Sequence, residues 1–396
     1  MGASNLSTHP VGFVGAGQLA RMAGEAGSAL GLTMAVLAER PDDAACAGAA
    51  EVVLGSPFVA EDLRALAARC DVLTFDHEQV DLDIVGEVAA EGAVVRPGPE
   101  TLELAVDKAR MRTVLDDAGV PVPAYLVVDE GAGALPAVEA FATTHGWPVM
   151  LKVARGGYDG KGVWPVGDPD AAARVLAAVA AQVVVEELLP LDAELAVLVA
   201  RRPSGASSAW PAVETAQVGG VCREVLVPGR LDADVVEAAS ALGQKVAEIA
   251  GGVGVMAVEL FWSGGRLLVN EVATRPHNSG HWTMEGAVTS QFENHVRAVL
   301  DLPLGSTAPQ HSQVASVNVF GGAEGADPAV LLARGLAVEG AHVHLYGKSA
   351  RPGRKLGHVT VCGDHAEVVR SRAWAAAIAL GTPVPADIDL PEGVLR

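Results

Sequence analysis

A chain of 396 residues carries 28 Lys and Arg against 48 Asp and Glu, a formal charge of −20. Half of its residues are hydrophobic and 4% aromatic; this supports sizeable cores, excludes a disordered chain and, at about 150 residues per domain, predicts two or three domains. So acidic a chain repels nucleic-acid phosphates and anionic lipid, neither of which is therefore an expected partner, and a small anionic substrate needs a locally basic pocket.

The first third alternates short β-branched runs with helical patterns. Strands are expected at Val11 to Val14, Thr33 to Leu37, Val72 to Phe75 and Ala93 to Arg96, and helices at Gln18 to Leu30, Leu63 to Arg69 and Ile84 to Glu91. Such alternation predicts a parallel sheet with helical crossovers. A helix over Lys108 to Ala118 ends this unit at Gly119 and the Pro121/Pro123 pair. Met1 to Pro10 lacks the basic-then-apolar pattern of a secretory signal, and no apolar run approaches the roughly 20 residues that span a bilayer. Cys46, Cys70, Cys222 and Cys362 are too widely spaced for a zinc or disulfide framework. The expected compartment is the cytoplasm.

A second unit starts at residue 119. Val149 to Lys152 reads as a strand that runs into the glycine-rich loop Gly156 to Gly162. Val183 to Glu187 and Leu195 to Arg201 are expected strands, and Asp232 to Ala250 a long helix. Val253 to Trp262 and Arg266 to Val272 form a hairpin around Ser263-Gly264-Gly265. Beyond Pro303 a smaller third unit begins, with a strand-like Ser316 to Phe320 and a basic loop near Arg351. The expected domains are 1–118, 119–305 and 306–396.

Several segments carry chemistry. Gly15-Ala16-Gly17-Gln18-Leu19-Ala20 follows a strand and opens a helix. Glycines there bring amides to a phosphate at the positive helix end, or simply make a turn. With Glu39 near the end of the second strand, the same pattern also admits an NAD-dependent oxidoreductase. Lys152 ends a strand before a loop with four glycines in seven residues, which can place two ammonium groups, Lys152 and Lys161, and several amides around a polyphosphate. The alternative is a flexible hairpin with solvated lysines. Glu186 and Glu187 close a strand where a carboxylate could meet an adenine amino group and a ribose.

The hairpin is the most informative segment. If Trp262 pairs with Arg266, Glu259 faces Val269 and Glu271 is its diagonal neighbour on the same face, roughly 7–8 Å away. Two carboxylates among apolar neighbours call for a cation, and Mg²⁺ prefers one or two carboxylates plus substrate phosphate oxygens. Thr274-Arg275-Pro276-His277-Asn278-Ser279-Gly280-His281-Trp282 follows, an irregular donor-rich stretch suited to a small oxyanion. Lys348, Arg351, Arg354 and Lys355 put four cations in eight residues, as a phosphate clamp or a solvated loop.

In order and over nearly the whole chain, these residues resemble the ATP-grasp superfamily and, within it, the carboxyaminoimidazole ribonucleotide synthetases. The resemblance rests on GAGQLARM (Gly15 to Met22), GGYDGKG (Gly156 to Gly162), VGVMAVELF (Val253 to Phe261), NEVATRPHNSGHWT (Asn270 to Thr283) and RPGRKLGH (Arg351 to His358). It implies an α/β and α+β chain: an N-terminal parallel α/β pre-ATP-grasp domain, an ATP-grasp domain with a mobile lid at about 121–190, and a small C-terminal domain. It implies ATP and Mg²⁺ as cofactors, bicarbonate and aminoimidazole ribonucleotide as substrates, and a homodimer.

Carried over by position, Lys108 and Lys152 would hold ATP phosphates, with Gly156, Gly157, Tyr158, Asp159, Gly160, Lys161 and Gly162 covering them. Glu186, Glu187, Leu188, Leu189 and Glu194 would meet adenine and ribose, Asn270 and Glu271 would line the nucleotide site, and Glu259 and Glu271 would bind Mg²⁺. Arg275, His277, Asn278 and Lys161 would act on bicarbonate and phosphate. Gln18, Leu19, Tyr158, Asp159, Arg275, Lys348, Arg354 and Lys355 would hold the ribonucleotide. Lys108 stands where many relatives carry Arg, which keeps the charge and loses the planar fork. Ala273 stands where biotin-carboxylase-like enzymes usually carry Asn. No nucleotide contact can be placed around Glu214 or Gln217.

Overall fold

The structure, a computed structural model, describes residues 10–131, 133–157, 161–322, 326–391 and 394. Four strands form a parallel sheet in the order Glu51–Leu54, Met34–Ala38, Val11–Val14, Val72–Phe75. The last three are buried along their whole length, as befits parallel strands covered on both faces by helices, here including Gln18–Ala29, Ala60–Ala67 and Leu82–Ala90. Glu51–Leu54 is the edge strand and buries only Val53, so it lacks the apolar run by which its neighbours are recognised. The strand expected at Ala93 to Arg96 shrinks to one bridge, Leu73 to Val95. Pro97 follows and has no N–H with which to extend the ladder.

The helix Lys108–Asp117 begins on Asp107, whose side chain accepts the Arg110 amide. Asp107 also accepts from Arg155 Nε at 2.8 Å, and the Lys108 amide donates to the Ala154 carbonyl at 2.9 Å. The first residue of this helix is thereby held beside the strand Val149–Val153. That strand belongs to a second, antiparallel sheet in the order Tyr125–Val128, Val183–Glu187, Val149–Val153, Val163–Val166. Helices Ala134–His145 and Pro169–Val179 cover it. Pro165 is tolerated because its strand lies at the edge.

The largest sheet runs from the hairpin Gly254–Ser263 and Arg266–Ala273 through Ala193–Arg201, Val213–Val218 and Val221–Val227 to Gln313–Phe320, Lys355–Gly363 and Ala341–Leu345. Val221–Val227 pairs with Gln313–Phe320, so the strands after residue 306 continue the central sheet. The long helix Ala233–Ala250 packs on one face, where a Cβ on Gly243 would stand 2.6 Å from Val197.

The hairpin register differs from the expected one. Ser263 pairs with Arg266 and Leu260 with Val269; a bulge then leaves Asn270 unopposed and sets Glu259 directly against Glu271. Gly264 and Gly265, both at positive φ (55° and 78°), form a two-residue turn, whereas the expected turn had three. The turn moves the ladder by one residue and the bulge by another. Two carboxylates expected on a diagonal become direct cross-strand neighbours, with Cβ atoms roughly 4.5–5.5 Å apart.

Candidate active site

A cleft of about 1000 Å³ lies at the bulged end of the hairpin. Glu259, Glu271, Lys108, Lys161, Arg275, His277, Asn278 and Lys355 line it together with Gly156 and Gly157. Tyr158, Asp159 and Gly160, expected in the covering loop, fall outside the described residues. Gly162 closes the loop at φ 75°, and a Cβ there would strike Val153 Cγ1 at 2.5 Å.

The acidic pair divides its protonation unequally. Burial, then the charges of Glu271 and Glu194, raise the Glu259 carboxyl to about 8. Burial also opposes ionisation of Glu271, but Lys108 Nζ at 2.9 Å outweighs it and holds that carboxyl below its usual range. Burial and the nearby Glu271 push Glu194 up to about 7. Two carboxyls thus face each other on the cleft wall, with Glu194 close enough to feel the charge of Glu271, and the facing pair suits a divalent cation.

Lys152 is placed otherwise than an ammonium facing the cleft. It is buried, with Nζ 2.7 Å from Glu186 and 3.2 Å from Asn270 Oδ1. Burial lowers its pKa. Glu186 is buried too, and its other oxygen accepts from Arg112 at 2.7 Å. Arg112 and Lys152 overcome the burial cost and hold the Glu186 carboxyl at about 2. The Glu186 side chain, expected against adenine and ribose, is therefore committed to Arg112 and Lys152. Glu187 Oε1 accepts the Ala124 amide at 3.0 Å, and Leu188 is exposed beyond it, followed by the half-buried Leu189. Arg112 gave no sequence signal; it reads as one more basic residue on a helix.

The donor-rich stretch forms the cleft wall. Arg275 Nε donates to Glu78 at 2.7 Å, and the Thr274 amide donates to the other Glu78 oxygen at 3.1 Å. Glu78 comes from the loop after Val72–Phe75, and its role cannot be read from its neighbours in sequence. His277 Nδ1 lies 2.9 Å from the Ser279 hydroxyl and 3.4 Å from the Ser279 amide, and Nε2 lies 3.3 Å from Glu259 Oε1. Burial, followed by Arg275 and Lys355, depresses His277 to about 3 and keeps it neutral. Both polar atoms of the Asn278 side chain are buried without a protein hydrogen-bond partner, as is Thr274 Oγ1. Unsatisfied polar atoms on a cleft wall point to a small polar ligand.

The basic loop divides its duties. Lys355 opens the strand Lys355–Gly363 and reaches the cleft. Lys348 Nζ meets Gln18 Oε1 at 2.6 Å, at the start of helix Gln18–Ala29. Arg354 turns back onto Ser349. At the N-terminal glycine turn, two of the amides are taken by Asp76: those of Gly17 and Ala20 donate to it at 3.0 and 2.7 Å. Leu19 buries its side chain in the N-terminal core. Of the two residues left unplaced by sequence, Gln217 lines the cleft and Glu214 is held by Arg230.

Comparison with known proteins matches three consecutive family models: the ribonucleotide synthetase preATP-grasp domain over residues 8–106, the ATP-grasp domain over 113–292, and the phosphoribosylaminoimidazole carboxylase C-terminal domain over 315–372. The chain is 44% identical to the N5-carboxyaminoimidazole ribonucleotide synthase of Mycobacterium tuberculosis, over 93% of this chain and 86% of that one. It is 39% identical to the protein of the same name from Synechococcus elongatus, over 89% of each. Among solved structures, the N5-carboxyaminoimidazole ribonucleotide synthetase of Thermus thermophilus superposes with a TM-score of 0.85 at 36% identity, covering 95% of this chain and all of that one. The Aspergillus clavatus enzyme, solved with ADP and 5-aminoimidazole ribonucleotide, superposes with a TM-score of 0.86 at 29% identity, covering 95% and 99%.

Proposed function

The chain belongs to the N5-carboxyaminoimidazole ribonucleotide synthase family, and from that premise we infer that it is an ATP-dependent ligase of de novo purine biosynthesis. It carboxylates the exocyclic amine of 5-aminoimidazole ribonucleotide with ATP and bicarbonate. A bicarbonate oxygen takes the γ-phosphoryl group, releasing ADP and forming carboxyphosphate. The amine nitrogen then takes up the carboxyl group, phosphate leaves, and the nitrogen gives up a proton. The observation that carries this reading is the cross-strand pair Glu259 and Glu271 beside Lys108, with Arg275, His277 and Asn278 on the adjoining wall.

That geometry supports a role for each residue. Lys108 supplies charge where phosphate oxygens gather, and the loop from Gly156 to Gly162 covers them. Lys152, held by Glu186 and Asn270, offers its ammonium from behind. Asn278, with Arg275 and the neutral His277, orients bicarbonate; with its pKa depressed to about 3 the ring is too weak a base to take up a proton at neutral pH. Lys355 faces the ribonucleotide, and Lys348 with Gln18 its phosphate. The four-stranded unit from about 121 to 190 acts as a lid that keeps water from carboxyphosphate.

Glu259 and Glu271 fit Mg²⁺: both are hard oxygen donors, and among the described residues no third Asp, Glu, His or Cys completes a protein-only site, so phosphate oxygens would fill the remaining positions. Mg²⁺ supplies the charge that offsets those oxygens during transfer. Because Glu259 is protonated below about 8, metal binding must displace that proton. Affinity of the nucleotide-free protein for Mg²⁺ is expected to rise from pH 6.5 towards 8 and flatten above. Titration calorimetry in two buffers of different ionisation enthalpy should register close to one proton released near pH 7. A flat affinity across that range would remove Glu259 from the metal.

The activity is tested by ADP release with ATP, Mg²⁺ and bicarbonate, with and without aminoimidazole ribonucleotide. Release that ignores the ribonucleotide overturns the assignment. Lys355→Ala is expected to raise the Michaelis constant for the ribonucleotide about tenfold or more, since a charged hydrogen bond to a ligand is worth about 1.5–3 kcal/mol. The constant for ATP should barely move. A parallel rise in both would mean that Lys355 acts through domain closure.

A cytoplasmic homodimer is the working form we propose. The exposed edge strand Glu51–Leu54, with Val52 and Leu54 open to solvent, offers a surface for association. Light scattering would give the mass directly. No helix among the described residues is long and apolar enough to cross a membrane.

A further inference from the structure

We propose that Gln291 is the positioning residue that sets the His277–Asn278 turn on the cleft wall, by clamping both backbone groups of His277. The inference rests on the reading of that turn as the bicarbonate site. Gln291 is fully buried and opens the helix Gln291–Val299. Its Oε1 accepts the His277 amide at 2.8 Å, and its Nε2 donates to the His277 carbonyl at 2.7 Å. The second Nε2 hydrogen points to His281 Nδ1 at 3.2 Å. Reversing the amide would set a donor against the His277 N–H, so this orientation alone satisfies every partner.

The clamp does what a strand partner would do for an irregular segment. Residues 274–282 have no ladder to hold them, apart from the short turn Asn278–Gly280. A side-chain amide presents one donor and one acceptor at the spacing of a peptide group, so a single Gln fixes both sides of His277. Space is made for it at Gly280, where a Cβ would lie 2.6 Å from Gln291 Oε1. The base of Gln291 is fixed in turn. Its amide donates to Thr283 Oγ1 at 2.9 Å, and Thr283 donates to the Gly280 carbonyl at 2.7 Å. Thr283 and Gln291 therefore close a ring around the turn. The far side of His281 stacks on His358 at 4.6 Å between ring centroids, so the clamp also ties the turn to the strand that begins at Lys355. Gln291 reaches neither acidic residue of the hairpin; it acts only through where it puts His277 and Asn278.

Gln291→Met keeps the length and apolar stem of the side chain and removes both hydrogen bonds. The expected result is a Michaelis constant for bicarbonate raised about tenfold or more, within the span seen when supporting residues of an active site are lost. The constant for ATP should stay within about twofold. ADP release should exceed formation of carboxylated product, because a displaced Asn278 and His277 let carboxyphosphate go to water. A folded variant with an unchanged bicarbonate constant and one ADP per product overturns the proposal. So does an ATP constant that rises as far as that for bicarbonate. Hydrogen exchange on the unaltered protein gives a second test that needs no variant: the His277 amide should be protected like an amide in a strand, and exchange at the rate of an exposed loop would overturn the clamp. Failure of the underlying reading is distinguishable, since the unaltered enzyme would then show no dependence on bicarbonate at all.

Discussion

Glu271→Gln is expected to lower turnover at least about a hundredfold while leaving the fold intact. The substitution is nearly isosteric and removes one negative charge from a cleft-lining position directly across the ladder from Glu259. It takes away the counter-ion of Lys108, 2.9 Å distant, and one of two carboxylates able to hold a metal against the transferring phosphate. A factor of one hundred corresponds to about 2.7 kcal/mol of transition-state stabilisation, in the range for losing one electrostatic contact at the reacting centre. The amide also relieves Glu259 of its like-charged neighbour, so that carboxyl should ionise at lower pH than before. Steady-state turnover at saturating Mg²⁺, with the melting temperature as control, decides the matter. Turnover near that of the unaltered enzyme would remove Glu271 from the site.

Lys152→Met is expected to raise the Michaelis constant for ATP about tenfold or more and, in addition, to lower the melting temperature. A lysine facing an open cleft would show only the first effect. The second follows from Glu186, a fully buried carboxylate that Lys152 shares with Arg112. Removing one partner of a buried pair costs about 3–5 kcal/mol when a lone charge is left. Here Arg112 remains, so about 1–3 kcal/mol is expected, the cost of one lost charged hydrogen bond. Glu186 ionises at about 2 in the fold against 4.5 ordinarily. A depressed carboxyl stabilises the fold above 4.5 and loses that contribution as the pH falls towards 2. The difference in stability between the two proteins should therefore narrow in acid. Thermal melts at pH 7 and pH 3 test this: equal gaps would show that Lys152 contributes through packing rather than charge.

The N-terminal alternation, the long helix Ala233–Ala250 and the hairpin arms were legible because each has a strong period or a clear stop. Edge strands were not. Glu51–Leu54 exposes most of its residues and Val163–Val166 contains Pro165, so both lack the apolar run that marks a buried strand. Of the residues singled out from the sequence, those with distinctive local company line one cleft: Glu259 and Glu271 of the hairpin, Arg275, His277, Asn278 and Lys355. Arg112, Glu78 and Gln291 were missed, since each lies on an unremarkable helix or loop and acts on a partner at least 14 residues away.

Local sequence is enough to show which chemical groups are available and roughly which element carries each. Glycines near Lys152, two glutamates on a hairpin and a donor-rich segment after them are properties of adjacent residues, and adjacency survives folding. Which groups face each other, and in what protonation state, is set by contacts between distant segments. A two-residue turn and one unopposed Asn270 put Glu259 against Glu271, a matter of register that period-two patterning cannot fix when both strands are apolar on either side. Asp76, remote in sequence, takes the Gly17 and Ala20 amides at the helix start, a partner that the glycine turn itself does not announce. Glu186 turns Lys152 inward, and burial with Arg275 and Lys355 keeps His277 neutral. Each of these outcomes depends on charges and desolvation contributed by distant segments, and such interactions exist only once the chain has brought those segments together.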